Sequence, residues 1–112
     1  MDNTEIEGTI FAEASHKLDS FLEELNSPET PDYIRPNWIM KRLPYISRYD
    51  LYKWVKSGFI PDEMIQKKNK RSFFAHDGAE LAGYIGFFRV EGAPLEKSVS
   101  MAQRHLKGER PF

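Results

Sequence analysis

Five of the seven prolines fall between Asn26 and Pro61, and with Gly58 and Gly92 they cut the chain into short pieces. A proline inside a helix removes a backbone hydrogen bond and clashes with the preceding turn, so no long helix can cross this region. The fold has to be assembled from brief elements with abrupt ends. The segment "NSPETPDYIRP" (26–36) holds three of these prolines and reads as a connector.

The pieces between the breakers carry clear periodicities. Over residues 9–26, Phe11, Ala14, Leu18, Phe21, Leu22 and Leu25 recur at helical spacing with acids on the opposite face, and Thr9 is the expected N-cap. Trp38, Ile39, Met40 and Leu43 predict a short helix ending near Pro44. Ser47, with Asp50 three residues on, opens the next helix; Leu51 and Val55 form its inward stripe, Gly58 takes a left-handed C-cap, and Pro61 blocks continuation. Two short helices joined by a tight turn make a helix-turn-helix. "MIQKKNKRSFF" (64–74) reads as a two-stranded hairpin in which Asn69 adopts the positive φ of the turn. Asp77 and Glu80 predict a capped helix carrying Leu81, Tyr84, Ile85 and Phe88 inward until Glu91-Gly92. Pro94 then opens a last helix with Leu95, Val99, Ala102 and Leu106 along one side.

Net charge is only −1, but it is strongly segregated. Residues 1–34 hold nine acids and one lysine, residues 35–74 hold ten basic residues and three acids, and residues 75–112 hold five of each. A basic block in an otherwise acidic or neutral chain is the electrostatic footprint of nucleic-acid binding, against the plainer reading of a solvated basic face.

Within that block the chemistry concentrates on "SRYDLYKWVKSGFIP" (47–61), where two tyrosines, a tryptophan and three basic residues share one short helix. Burial of Leu51 and Val55 leaves Arg48, Tyr49, Tyr52, Lys53 and Lys56 on the outer arc. A major groove admits one such helix, and its N-terminal residues meet base edges. Arg48 is therefore expected to contact bases, because a guanidinium bonds guanine O6 and N7 together. Tyr49 and Tyr52 suit phosphate or thymine-methyl contacts, and Lys53 and Lys56 suit the backbone. Trp54 is expected to pack under the hairpin rather than stack on a base. The hairpin tip, Lys67-Lys68-Asn69-Lys70-Arg71, concentrates four cations that repel one another unless a polyanion neutralises them.

"ISRYDLYKWVKSGFIP" resembles the segment "vs-x-x-tl-r-y-y-e-x-x-gli-p" of the MerR family of winged-helix regulators, and is similar to the excisionase-like "tl-y-r-w-x-x-x-g-x-ip". Ser47, Leu51, Gly58, Ile60 and Pro61 keep the family spacing, and Tyr52-x-Trp54 matches the excisionase form. "RSFFAHDGAELAGYI" (71–85) and "FFRVEGAPLEKSV" (87–99) resemble the family's following segments in unbroken order, over about residues 37–107. The resemblance implies a mainly α fold with a small β-hairpin wing, a winged helix-turn-helix (37–112); the acidic helix and proline-rich connector (1–36) lie outside the resemblance and precede that domain as an extra element. It also implies that Arg48, Tyr49, Tyr52 and Lys53 on the recognition helix, and Lys68, Lys70 and Arg71 on the wing, meet DNA. Tyr45 departs from the pattern, standing where the family has a turn glycine. The family's coiled coil, effector region and metal-sensing cysteines have no counterpart here.

The function expected is sequence-specific binding of double-stranded DNA by a small cytoplasmic, nucleoid-associated transcriptional regulator, of repressor type, from a phage, plasmid or mobile element. The alternatives are an excisionase-like architectural factor and a protein-interaction module built on the acidic N-terminal helix. That helix buries its stripe either on its own domain or in a homodimer, and a third alternative folds its acids back over the basic face, weakening non-specific DNA binding. His16, His76 and His105 lack metal-ligand spacing, His76 being expected at a helix start and His105 on a solvent face; no glycine-rich phosphate loop occurs, and the chain has no cysteine. Enzyme activity, cofactors, metals and a small-molecule effector are therefore not expected. No apolar run reaches the roughly 20 residues of a membrane span, and the acidic start does not read as a signal peptide.

Overall fold

Apolar residues at steps of three and four build α1 (Asn3–Leu25), and Ala14, Leu18, Phe21 and Leu25 on that stripe are buried. The computed structural model describes the backbone of residues 3–106 and the side chains of residues 13–106. Thr9 therefore lies inside α1 rather than capping it, and the Phe11 side chain is outside the described residues. The chain continues through β1 (Tyr33–Ile34), α2 (Pro36–Arg42), α3 (Arg48–Lys56) and a single 3₁₀ turn (Asp62–Met64). It closes with β2 (Ile65–Lys68), β3 (Arg71–Ala75), α4 (His76–Val90) and α5 (Leu95–Leu106). The protein is thus mainly helical with one small antiparallel sheet.

That sheet has three strands where a two-stranded hairpin was expected, in the order β1-β3-β2. The connector supplies the extra one, pairing Tyr33 with Ala75 and Ile34 with Phe74, and Ile34 is 1% exposed. On the other side of β3, Ile65 faces Phe74 and Lys68 faces Arg71 across the hairpin. Asn69 and Lys70 both have positive φ, 53° and 65°, which turns the chain in two residues and matches the right-handed twist of the strands.

Helix α4 is the hub. Nine of its residues are buried on all sides, the pattern of a helix surrounded by partners rather than one lying at a surface. It packs against α1, α5 and β3. Two glycines let neighbours approach: a Cβ at Gly83 would stand 3.0 Å from the Phe21 ring, and one at Gly86 only 2.6 Å from Ile46. The glycine contacts thus seat α1 on one part of α4 and the α2–α3 turn on another. Arg42 adds a tie at the edge, lying 3.8 Å from the Trp38 ring centroid and paired with Glu24 of α1.

Two expectations about caps and surfaces are corrected. No side chain caps α4: its N-cap is Ala75, the last residue of β3, whose extended φ/ψ leads straight into the helix. Asp77 instead accepts from the Gly78 N–H at 2.8 Å, and Glu80 accepts from the Tyr84 hydroxyl at 2.7 Å. His105 is not on a solvent face; its ring packs edge-on to Tyr84 at 4.5 Å, with Nδ1 buried. No helix among the described residues is long and apolar enough to cross a membrane.

Candidate functional site

The site begins with the start of α3. Ser47, extended at φ −94° and ψ 164°, accepts from the Asp50 N–H, while the Asp50 carboxylate accepts from the Ser47 N–H, both at 3.0 Å. This reciprocal box satisfies backbone donors the helix cannot satisfy itself and fixes the direction in which α3 leaves the turn. At the other end Gly58, with φ 79°, reverses the chain. Between them Leu51 and Trp54 are the buried positions, at 2% and 3% exposure, and Val55 is only half-buried. The inward stripe therefore runs through Trp54 rather than Val55.

A helix advances 100° per residue, so the exposed arc of α3 divides into two stripes. Arg48, Tyr52 and Lys56, at i, i+4 and i+8, line a groove of about 860 Å³ between α3 and the hairpin. Lys67, Lys70 and Arg71 line the same groove from the hairpin side, with Ser72 and Phe73. Leu51, Val55 and Phe74 are also among its lining residues. Tyr49 and Lys53 form the second stripe, one position further round. Lys53 borders a separate, smaller cleft with Tyr45, Asp50, Trp54 and Arg89, and Trp54 is thus turned toward α4 as well as the core. Lys68 is exposed beside the turn but does not line the groove.

Of the nine residues expected to form the site, the structure brings six into one groove: Arg48, Tyr52, Lys56, Lys67, Lys70 and Arg71. Tyr49, Lys53 and Lys68 are exposed around it. Tyr49 and Tyr52 are the most exposed large aromatics among the described residues, at 69% and 62%. The Lys56 ammonium stands 5.6 Å from the Tyr52 ring centroid, so charge and aromatic surface are presented together.

Two groove residues escaped the sequence reading. Arg35 lies on the rim with its guanidinium carbon 6.0 Å from the Phe73 ring centroid, and Asn37 accepts a hydrogen bond from the Arg48 guanidinium. Arg35 opens the basic block in sequence, which was a signal, but a two-residue strand such as β1 is too short for alternation to reveal.

The electrostatics are lopsided. Arg35, Arg48, Lys56, Lys67, Lys70 and Arg71 face a single acid, Asp62. Among the described residues the one salt bridge is Arg42 with Glu24, outside the groove, so these cations have no carboxylate partner among those residues. Like charges held together and left unneutralised raise the local concentration of anions and favour a ligand with several negative charges. Among the described residues no group of histidines and carboxylates is placed to hold a metal. No protein-family model matches the chain, and no characterised protein or solved structure is significantly similar to it.

Proposed function

We propose that this protein binds double-stranded DNA sequence-specifically and acts as a small transcriptional regulator of repressor type. In this reading α2 and α3 work as a helix-turn-helix and β2–β3 as its wing. Helix α3, nine residues and therefore about 13 Å long, enters the major groove, whose width of about 12 Å admits one helix. Arg48, in its first turn, meets base edges. Lys56, Lys67, Lys70 and Arg71 hold the sugar-phosphate backbone that runs between helix and wing, and Tyr52 packs against it. Tyr49 and Lys53 extend the contact along the flank of α3, and Lys68 does so at the tip.

The observation that carries the reading is the shared groove, with six cations against one acid on an aromatic and aliphatic floor. Enrichment from a pool of randomised duplexes, followed by titration at several salt concentrations, tests it. A defined motif is expected, with affinity falling roughly a thousandfold between 50 and 200 mM salt if about six phosphates are neutralised. The double variant Arg48→Ala/Lys67→Ala should lose that binding while keeping its melting temperature. Failure to enrich any duplex, or binding indifferent to both substitutions, would overturn the assignment. An enriched palindrome would indicate a two-fold dimer, and direct repeats a head-to-tail array.

A further inference from the structure

The groove has a third side, and it comes from the connector. Strand β1 zips onto β3 with Ile34 opposite Phe74, so the next residue, Arg35, comes abreast of Phe73. That is where its guanidinium lies, 6.0 Å from the Phe73 ring centroid, on the rim that Lys67 and Arg71 also line. Pro36 then begins α2 at once, and Asn37, one residue later, reaches across to α3. Its Oδ1 accepts from Arg48 Nη2, and both side chains are exposed. Two exposed polar side chains on different helices do not need each other for stability, because water satisfies either one. What the bond does is restrict an arginine that would otherwise sample many rotamers. The acceptor is an amide and not a carboxylate, so it orients the guanidinium without cancelling its charge.

We propose that Arg35 and Asn37 complete the DNA-binding groove, Arg35 as a backbone-phosphate contact and Asn37 as the positioning residue that holds Arg48 toward the base edges. The proposal rests on the DNA-binding reading above and adds two residues with distinct signatures. Arg35 carries charge and no sequence information. Asn37 carries sequence information and no charge, because it acts only through Arg48.

The test uses the full chain, the duplex enriched by selection, and a scrambled duplex of the same composition, each titrated across a salt series. Arg35→Gln should make the slope of log K against log salt shallower by about 0.9 on both duplexes, the loss of one phosphate contact. Arg35→Lys should restore the wild-type slope. Asn37→Ala should leave the slope unchanged and weaken binding of the enriched duplex about fivefold, as a freed side chain must be ordered again on binding. Its affinity for the scrambled duplex should not change. A wild-type slope in Arg35→Gln, or equal weakening of both duplexes in Asn37→Ala, would refute the corresponding role. The variant Arg48→Ala/Lys67→Ala separates the two levels. If it also binds normally, the DNA-binding reading itself has failed. If it loses binding while the connector variants behave as wild type, only the third side is wrong.

Discussion

Lys70 sits at φ 65°, a left-handed conformation that costs an L-residue about 1–2 kcal/mol and that glycine adopts freely. In a two-residue hairpin turn of this kind the second position is ordinarily glycine. The lysine is strained, and it faces the groove. Lys70→Gly should raise unfolding stability by about 0.5–1 kcal/mol, the relief being partly offset by the greater freedom of glycine in the unfolded chain. The same change should weaken duplex binding. Denaturant midpoints and titrations on one sample read both signs. Tyr45 presents the opposite economy, a hydroxyl that is buried and finds no hydrogen-bond partner among the described residues. Tyr45→Phe removes an unsatisfied polar group and should stabilise by about 1 kcal/mol.

The same burial pushes the Tyr45 hydroxyl well above the ordinary tyrosine range. Tyr84 moves the same way, first through burial and then through its hydrogen bond and proximity to Glu80. Both protons stay on in the folded state at a pH where the unfolded chain, with tyrosines near 10, releases them. Folding stability is therefore unaffected by these two titrations below about pH 10 and declines as pH rises beyond it, where the unfolded chain loses protons that the folded chain keeps. Melting temperatures should hold steady to about pH 9 and fall above 10, less steeply in Tyr45→Phe.

Local hydrogen bonding decides how an element starts and stops, which is why so many boundaries were legible. The Ser47–Asp50 box, the left-handed Gly58 and the positive φ of Asn69 all follow from local chemistry: a capping pair, a missing Cβ and an amide residue that tolerates the left-handed region. The Ser47 cap also aims α3, so Ser47→Ala should lower stability by about 1 kcal/mol and weaken duplex binding through fraying of the turn that bears Arg48. A thermal melt and a titration check the pair. The same logic misled at Asp77 and Glu80, where the spacing of a capping box occurs but β3 runs directly into α4, so the N-cap position falls on Ala75, which has no side-chain acceptor. Periodicity also misled on α3, where it put the inward stripe on Leu51 and Val55 and sent Trp54 under the hairpin. Both Trp54 and Val55 follow Leu51 at helical spacing, and only the position of α4 shows that Trp54 is the buried one, turned to α4 rather than the hairpin.

The molecule is held together through α4, and α1 is part of that assembly. Phe21, at 1% exposure, lies against Gly83 and also meets the Trp38 ring at 5.5 Å, linking α1, α2 and α4 at one point. Phe21→Ala should cost about 3–5 kcal/mol, a large share of a small domain's stability, and calorimetry should show a melting temperature lowered for the whole chain in one transition. Had α1 been an appendage, the main transition would stay where it is.

Periodicity, caps, turn residues and the segregation of charge are properties of neighbours in the chain, and they sufficed to place the five helices and the hairpin within a few residues, except for the start of α1, which lies six residues before Thr9. They also sufficed to single out the basic helix and the basic turn. What required the folded molecule was every relation between distant residues. The pairing of Tyr33 with Ala75, the packing of the His105 ring against Tyr84, and the turning of Lys53 away from the hairpin each join segments with no common local signal. So does the placement of Arg35 and Asn37 beside Arg48. The reason is that backbone conformation answers mainly to a residue's nearest neighbours, whereas which charges share a groove depends on how helices pack, and packing is settled by shape across the whole core.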